Sequence, residues 1–573
     1  MKSFFLLLFG LITAAACPAA SPDRDIVSFS IVSNVGLGNN IHVVGNHPDL
    51  GAWNPVNAIK LRWTTGNVWT GQVAVQKGTA LEYKFMSRSF ASNVFCDGNN
   101  AGWEGGANRT AAVPAAPPAP YPGKTIFYYT SWTNPSVIFT SGANTNFFAT
   151  PMVLAGPGRS SGENLFRAGG VGVAGEWLQF VITDNNGQFD KSPFPTGVGA
   201  GGNDYLTRLD ALLLQDGHLF NYWPSNSVSA PRVEYRSVGS SFPPIDGRNI
   251  VIILPRGYDS HPWKRYPVMY FQDGQKITNG ANDAFNNGAW DADVTAQREA
   301  AGGRMREVIL VGIDNIPDRR RWEYNPLGDQ YPGESSSGRA DAYLNFLVNN
   351  VRPTLDFNYR TLNDPRNTMV AGSSMGGIFS LYAGLETNVF GGILAMSPAV
   401  TRAPNYRNAM PTKTKRPMKV YIDTGTAEGQ VGTLPGGYYW DDPWTAYDHL
   451  QTIGYIPNQD IIMRVGCGHV HNEVAWRARL PEAFRFLLDV RDEPNRIAQQ
   501  EFPPEITAPP DLQSLPIQTQ RQFNYQIETT TNGVWSPAGN VWIETNAWDQ
   551  RTLSLTNAAS ATLWLRVSAT AAD

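Results

Sequence analysis

Between residues 25 and 115 apolar and polar positions alternate in short runs, IVSFSIV, IHVVG, GQVAV and LEYKFM, punctuated by Gly, Asn and Pro. A period of two sends successive side chains to opposite faces of a sheet, so the pattern predicts half-buried strands and an all-β sandwich. AVPAAPPAPYPG follows, from Ala112 to Gly123. Pro and Ala at that density predict an extended, semi-rigid linker, assigned to 116–123. Over 124–230 the runs TIFYYTSW, WLQFVITD and ALLLQD again read as strands, with many Gly and Asn and no amphipathic helical period. A second β-sandwich is expected there, a candidate carbohydrate binder.

From 232 to 495 the pattern changes. NIVIILP, PVMYFQDG, REVILVGID, NTMVAGSS, GGILAMS, KVYIDTG and DIIMRVG are short, continuous apolar runs, several separated by helical stretches such as ADAYLNFLVNNVRPTL and EVAWRARLPEAFRFLLDV. Buried strands alternating with helices predict a mostly parallel sheet covered on both faces. PPEITAPPDL then opens a tail, 496–573, whose FNYQIETT, VWIET and ATLWLRVSA predict a small β module. The expected architecture is multidomain: two β-sandwiches, an α/β domain and a terminal β module. A chain of 573 residues is in any case too long for one core.

Lys and Arg total 45 against 49 Asp and Glu, a net charge of −4 that argues against a nucleic-acid partner, which would need a concentrated basic face. Charged residues are 16% and aromatic ones 12%, a balance that leans towards neutral polymers such as glycans. MKSFFLLLFGLITAAA, residues 1–16, joins one early charge, an apolar run and small residues; it reads as a signal peptide and predicts a secreted or periplasmic protein. The run is too short to span a membrane, and no later segment reaches that length. Cys17 leaves a lipidated lipoprotein as the alternative. Cys96 and Cys467 fall in different expected domains, so no disulfide is expected.

Gly372-Ser373-Ser374-Met375-Gly376 fits G-x-S-x-G between a strand-like TMVA and a helix-like GIFSLYAGL. That context is the nucleophile elbow of an α/β-hydrolase, a strained strand-to-helix turn that lifts Ser374 Oγ clear of the sheet and aims the Met375 amide at a developing oxyanion. The base and acid follow in the order acid, then His. Three histidines follow Ser374. His449 sits in a helical stretch, whereas His469 and His471 come just after the last strand; His471, at the head of the final helix, is preferred and His469 stays open. Glu428, just beyond KVYIDTG, is the candidate acid, with Asp423 as the alternative and Asp441 and Asp442 as outside candidates. Gln275, after the Asp273-Gly274 turn, is the second oxyanion donor by position.

VIILPRGYDSHPWKRYPVMYFQDGQ, VILVGIDN, LDFNYRT, AGSSMGG, YIDTGTAEG and HNEVAWRARLPEAFRFLL together resemble the esterase D-like family, which includes enterochelin, feruloyl and acetyl-xylan esterases. The resemblance implies ester hydrolysis or acyl transfer through an acyl-enzyme, without metal or cofactor. IHVVGNHPDLGAWNP, VWTGQVAVQKGTALEYKFM and GWEGGANR resemble the family-20 starch-binding module, which implies that Trp53, Lys84 and Trp103 bind glucan. Two indoles would stack on glucose rings and the ammonium would donate to hydroxyls. Trp69 is expected in the core. The second β module loosely resembles starch-binding families 25 and 53, with Trp132, Trp177 and Tyr205 facing either sugar or the core. GGYYWDDPW, residues 436–444, offers an aromatic wall for an acyl group or an ordinary packed loop. The leading expectation is a secreted serine esterase acting on acylated carbohydrate near starch or a related α-glucan. A glucan-anchored polyester or siderophore esterase and a non-catalytic adhesin are the rivals, and the oligomeric state stays open.

Overall fold

The computed structural model describes residues 24–490 apart from short stretches, the longest being 115–122, 221–230, 279–287 and 430–439, and the backbone of strands between 514 and 571. Residues 1–16 and Cys17, with the expectations attached to them, lie outside the described residues. No described helix is long and apolar enough to cross a membrane.

The alternating runs at the N-terminus form two facing sheets. Arg24–Val32, Val68–Gln76 and Arg62–Thr64 make one; Ile59–Lys60, Asn39–Gly45, Ala80–Ser89 and Gly102–Trp103, with Arg109–Ala112 beside Ala80–Ser89, make the other. Phe29, Val43, Leu61, Trp69, Val73 and Phe85 fill the space between them. Trp69 is buried and its Nε1 donates to the Ser33 carbonyl, as a core indole must find a partner. Two five-stranded sheets follow, between Lys124 and Phe220, around Ile126, Phe139, Phe166, Phe180 and Leu212. Tyr205 lies in that core with its hydroxyl on Asp190, so it does not face sugar; Trp132 leans on the same core, edge-on to Tyr128.

The continuous apolar runs assemble one eight-stranded mixed sheet. Its order is Arg232–Val238, Arg248–Leu254, Ile309–Ile313, Val268–Gln272, Thr368–Ser373, Gly392–Met396, Lys419–Gly425 and Ile461–Gly466. The first two pairings are antiparallel and the rest parallel. Every residue of Val268–Gln272 and Thr368–Ser373 is buried because both faces are covered. Tyr270 and Val370 point into one apolar layer, Phe271 and Ala371 into the other. The helical run from Ala340 to Asn358 widens to a π turn at Leu347–Val351, just before Pro353. Proline lacks an amide hydrogen and crowds the preceding turn, and the wider turn relieves both.

The N-terminal sandwich docks on the sheet domain, and here an expectation fails. Cys96 and Cys467 form a disulfide across 371 residues of chain, with their Cα atoms 5.9 Å apart. Separation along the chain said nothing of distance once an apolar contact brings the domains together. Phe95, fully buried, lies 5.2 Å from the Trp440 ring and 5.4 Å from the Trp444 ring, and Trp440 Nε1 donates to the Phe90 carbonyl. Asn458 Nδ2 donates to the Asp49 carbonyl across the same boundary. Trp440 and Trp444 are therefore spent on this contact and form no wall for an acyl group.

His42 is sealed in the contact, edge-on to Phe95 and Trp444. Burial first, then the charges of Arg88 and Lys60, hold its pKa well below the ordinary 6.5. Below that ordinary value the unfolded chain takes a proton that the folded chain refuses. The contribution is thus complete above pH 6.5 and erodes as pH falls, by about 1.4 kcal/mol per pH unit for one group. Urea denaturation at pH 7, 6 and 5 should show this loss, and His42→Phe should flatten it; an unchanged slope in the variant would contradict the assignment.

Candidate active site and glucan-binding face

Ser374 joins the central strand Thr368–Ser373 to the helix Met375–Glu386 with φ 55° and ψ −116°, a conformation closed to most L-residues. The surroundings hold it there. Its amide donates to the Met396 carbonyl at 2.9 Å, and its own carbonyl accepts from the amides of Gly377, Ile378 and Ala399. A Cβ on Gly372 would sit 2.6 Å from the Gly376 backbone, so the turn closes only with glycine. Met375 is the first residue of the helix, where no preceding turn consumes its amide.

Gln275 lies in the short turn Gly274–Lys276, directly after the strand Val268–Gln272. This turn abuts the elbow: a Cβ on Gly376 would lie 3.2 Å from Gln272 Cβ and 3.4 Å from Asp273 Oδ2. Asp273 takes a left-handed φ of 59°, and its carboxylate accepts two 2.7 Å bonds from Arg320 and another from Asn315 Nδ2. Gly274 presses on Gly312, where a Cβ would meet backbone at 2.3 Å. Lys276 pairs with Glu473, which ties this turn to the helix that follows His471.

Glu428 is fully buried beyond the strand Lys419–Gly425. Its Oε1 accepts from Ser397 Oγ at 2.6 Å, from the Gly425 amide at 2.8 Å and from Arg479 Nη2 at 3.4 Å. Its Oε2 lies 2.9 Å from His471 Nδ1. Met396 and Ser397 are neighbours in the chain, so one short segment grips both the Ser374 amide and the Glu428 carboxylate. Asp423, also buried, pairs with Arg479 and accepts from the Ser397 amide. Burial pushes the Asp423 carboxyl up against the pull of Arg479. His469 Nδ1 faces Arg479 Nη1 at 3.0 Å, and burial together with that cation holds the imidazole below its ordinary value. The structure thus sets Glu428 against His471, and both Asp423 and His469 against Arg479. His449, on the helix Asp441–Thr452, is half-buried. Asp442 accepts from the Thr401 amide and hydroxyl, and burial pushes it up to about 6; burial also raises Asp441 beside it.

Sequence reasoning passed over Arg479, Ser397 and Trp476. Trp476 Nε1 donates to Ser397 Oγ, and its ring stands edge-on to His471 at 4.9 Å. A signal did exist for Arg479. The final helix, Glu473–Leu487, buries a stripe of Ala475, Trp476, Arg479, Leu480, Ala483 and Phe484, and a guanidinium inside such a stripe demands carboxylates. Among the described residues no group of His, Cys, Asp and Glu side chains is arranged to hold a metal ion.

On the N-terminal domain, Trp53 takes a left-handed φ of 62° and rests on the small cluster Val44, Ala58 and Met86. Trp103, 40% exposed, is the cross-strand partner of Met86, a member of that cluster. Lys84 Nζ donates to the carbonyls of Glu104 and Gly106, which spends two of its three hydrogens on fixing the segment behind Trp103. Trp63, 53% exposed, was not singled out in the sequence. Trp177 lines a cleft of about 780 Å³ where the three domains meet, beside Asp49, Lys419 and Asp460. Lys419 and Asp460 mark the N-terminal ends of the strands, whereas Ser374 lies beyond a C-terminal end.

Residues 246–505 match the family model described as "Putative esterase", and residues 26–119 match the model described as "Starch binding domain". An alpha-amylase of Streptomyces violaceus is 43% identical over 89 residues, 16% of this chain and 14% of the amylase. The chain thus spans about a seventh of that relative's length. The uncharacterized protein YbbA of Bacillus subtilis is 26% identical over 42% of this chain and 92% of its own length. A solved ferulic acid esterase from the anaerobic fungus Anaeromyces mucronatus aligns at 22% identity and a TM-score of 0.34, covering 46% of this chain and 96% of the other. The chain therefore matches the starch-binding family over its N-terminal domain and the esterase family over its sheet domain.

Proposed function

We propose that the protein is an exported serine esterase of the α/β-hydrolase type that removes acyl groups on, or beside, an α-glucan held by its N-terminal domain. The Glu428–His471 pair carries the reading, because a buried carboxylate 2.9 Å from Nδ1 holds the imidazole in the orientation in which Nε2 serves as the base. Ser374 Oγ attacks the ester carbonyl as His471 removes its proton, and the alcohol leaves with that proton. The Met375 and Gln275 amides receive the oxyanion, and water then releases the acid from the acyl-enzyme by the same steps. Glu428 holds the imidazole and balances the charge it gains. The Cys96–Cys467 disulfide supports export, since such bonds persist in oxidising compartments. A starch-binding face raises the local concentration of a tethered active site on the polymer without a new catalytic contact.

Release of p-nitrophenol from p-nitrophenyl acetate tests the chemistry. Ser374→Ala should lower kcat by about 10⁴-fold or more, with Glu428→Gln costing somewhat less. Persistent turnover in the serine variant would sink the reading, and an inert wild type would leave a glycan-binding protein. Retention on insoluble starch should be lost in Trp53→Ala with Trp103→Ala while acetate turnover stays intact; retained binding would move the glucan site elsewhere. Arg479→Met strands two buried carboxylates, so urea unfolding should show a loss of about 3–5 kcal/mol.

A further inference from the structure

Phe90, Phe95 and Cys96 of the N-terminal domain reach the loop that delivers the base and the head of the helix Asp441–Thr452. Cys96 is bonded to Cys467, which follows the strand Ile461–Gly466 and precedes His471 by four residues. Phe95 and the Phe90 carbonyl hold Trp440, the residue before the helix Asp441–Thr452. The Arg88 guanidinium covers the Phe95 ring at 3.7 Å, so the brace is packed from its own domain as well. Inside the sheet domain the histidine loop is tied by the Gly468 amide on Thr426 Oγ1, the Ala427 amide on the His469 carbonyl, His469 against Arg479 and His471 against Glu428, while Val470 between them is exposed.

We propose that this edge of the starch-binding domain, closed by Cys96–Cys467, is a positioning element of the esterase site. The domain then completes the catalytic unit instead of serving only as a tether. Proton transfer between serine, imidazole and carboxylate tolerates little displacement; a shift of about 1 Å can cost on the order of 100-fold in rate. A loop cross-linked four residues before its catalytic imidazole has far less freedom to drift. The proposal rests on the esterase reading, in which His471 and Glu428 are the base and acid.

The test compares full-length wild type with Cys96→Ser, Cys467→Ser and the double variant. Acetate turnover, starch retention and amide exchange over residues 425–428 and 466–472 are measured on each. The double variant should lose about tenfold or more in kcat with KM nearly unchanged. It should keep its starch retention and exchange faster in those two segments. Dithiothreitol applied to the wild type below its unfolding range should reproduce the loss, and reoxidation should restore it, which also decides the matter if the serine variants do not fold. Unchanged kcat together with unchanged exchange would overturn the proposal. Absence of Ser374-dependent turnover in the wild type would instead overturn the esterase reading, and the exchange data would still decide whether the brace orders the loop.

Discussion

Glu428 gives its two carboxylate oxygens unequal company, and the acid–base half of the site is organised by that inequality. Oε1 is engaged by the Ser397 hydroxyl, the Gly425 amide and Arg479, which leaves Oε2 to His471. A buried carboxylate is costly unless its lone pairs are met and its charge is answered. Arg479 answers two such charges at once, because Asp423 sits on its other side.

The strained Ser374 turn is the second constraint, coupled to the first through adjacent backbone. Met396 accepts the Ser374 amide and Ser397 donates to Glu428, so displacing the strand end Gly392–Met396 would disturb Ser374 and Glu428 together. On the far side, Lys276–Glu473 links the Gln275 turn to the helix behind His471. Ser374, Glu428 and His471 are each held by contacts from at least two chain segments, the arrangement that a geometry-sensitive reaction needs.

The contact between the N-terminal domain and the sheet domain changes how the molecule can work on a polymer. A flexible tether only raises local concentration. Here a disulfide, a buried Phe95 and two tryptophans join the N-terminal domain to the sheet domain as well.

The sequence by itself determined what local chemistry enforces. Period-two runs had to be sheet, continuous apolar runs separated by helical stretches had to be buried strands, and a glycine at 372 marked a turn with no room for a side chain. The two domain families were legible from motif order alone. The structure decided what depends on residues far apart in the chain: that Glu428 takes His471, that Arg479 takes Asp423 and His469, and that Cys96 reaches Cys467. Cysteine spacing misled because domain docking, driven by buried aromatic surface around Phe95, leaves no periodic trace in a sequence. Arg479 stood in a legible buried stripe, but its partners stayed hidden, because Asp423 and Glu428 are placed by another strand and the turn after it. Periodicity records which face of an element is buried; only packing says what it is buried against.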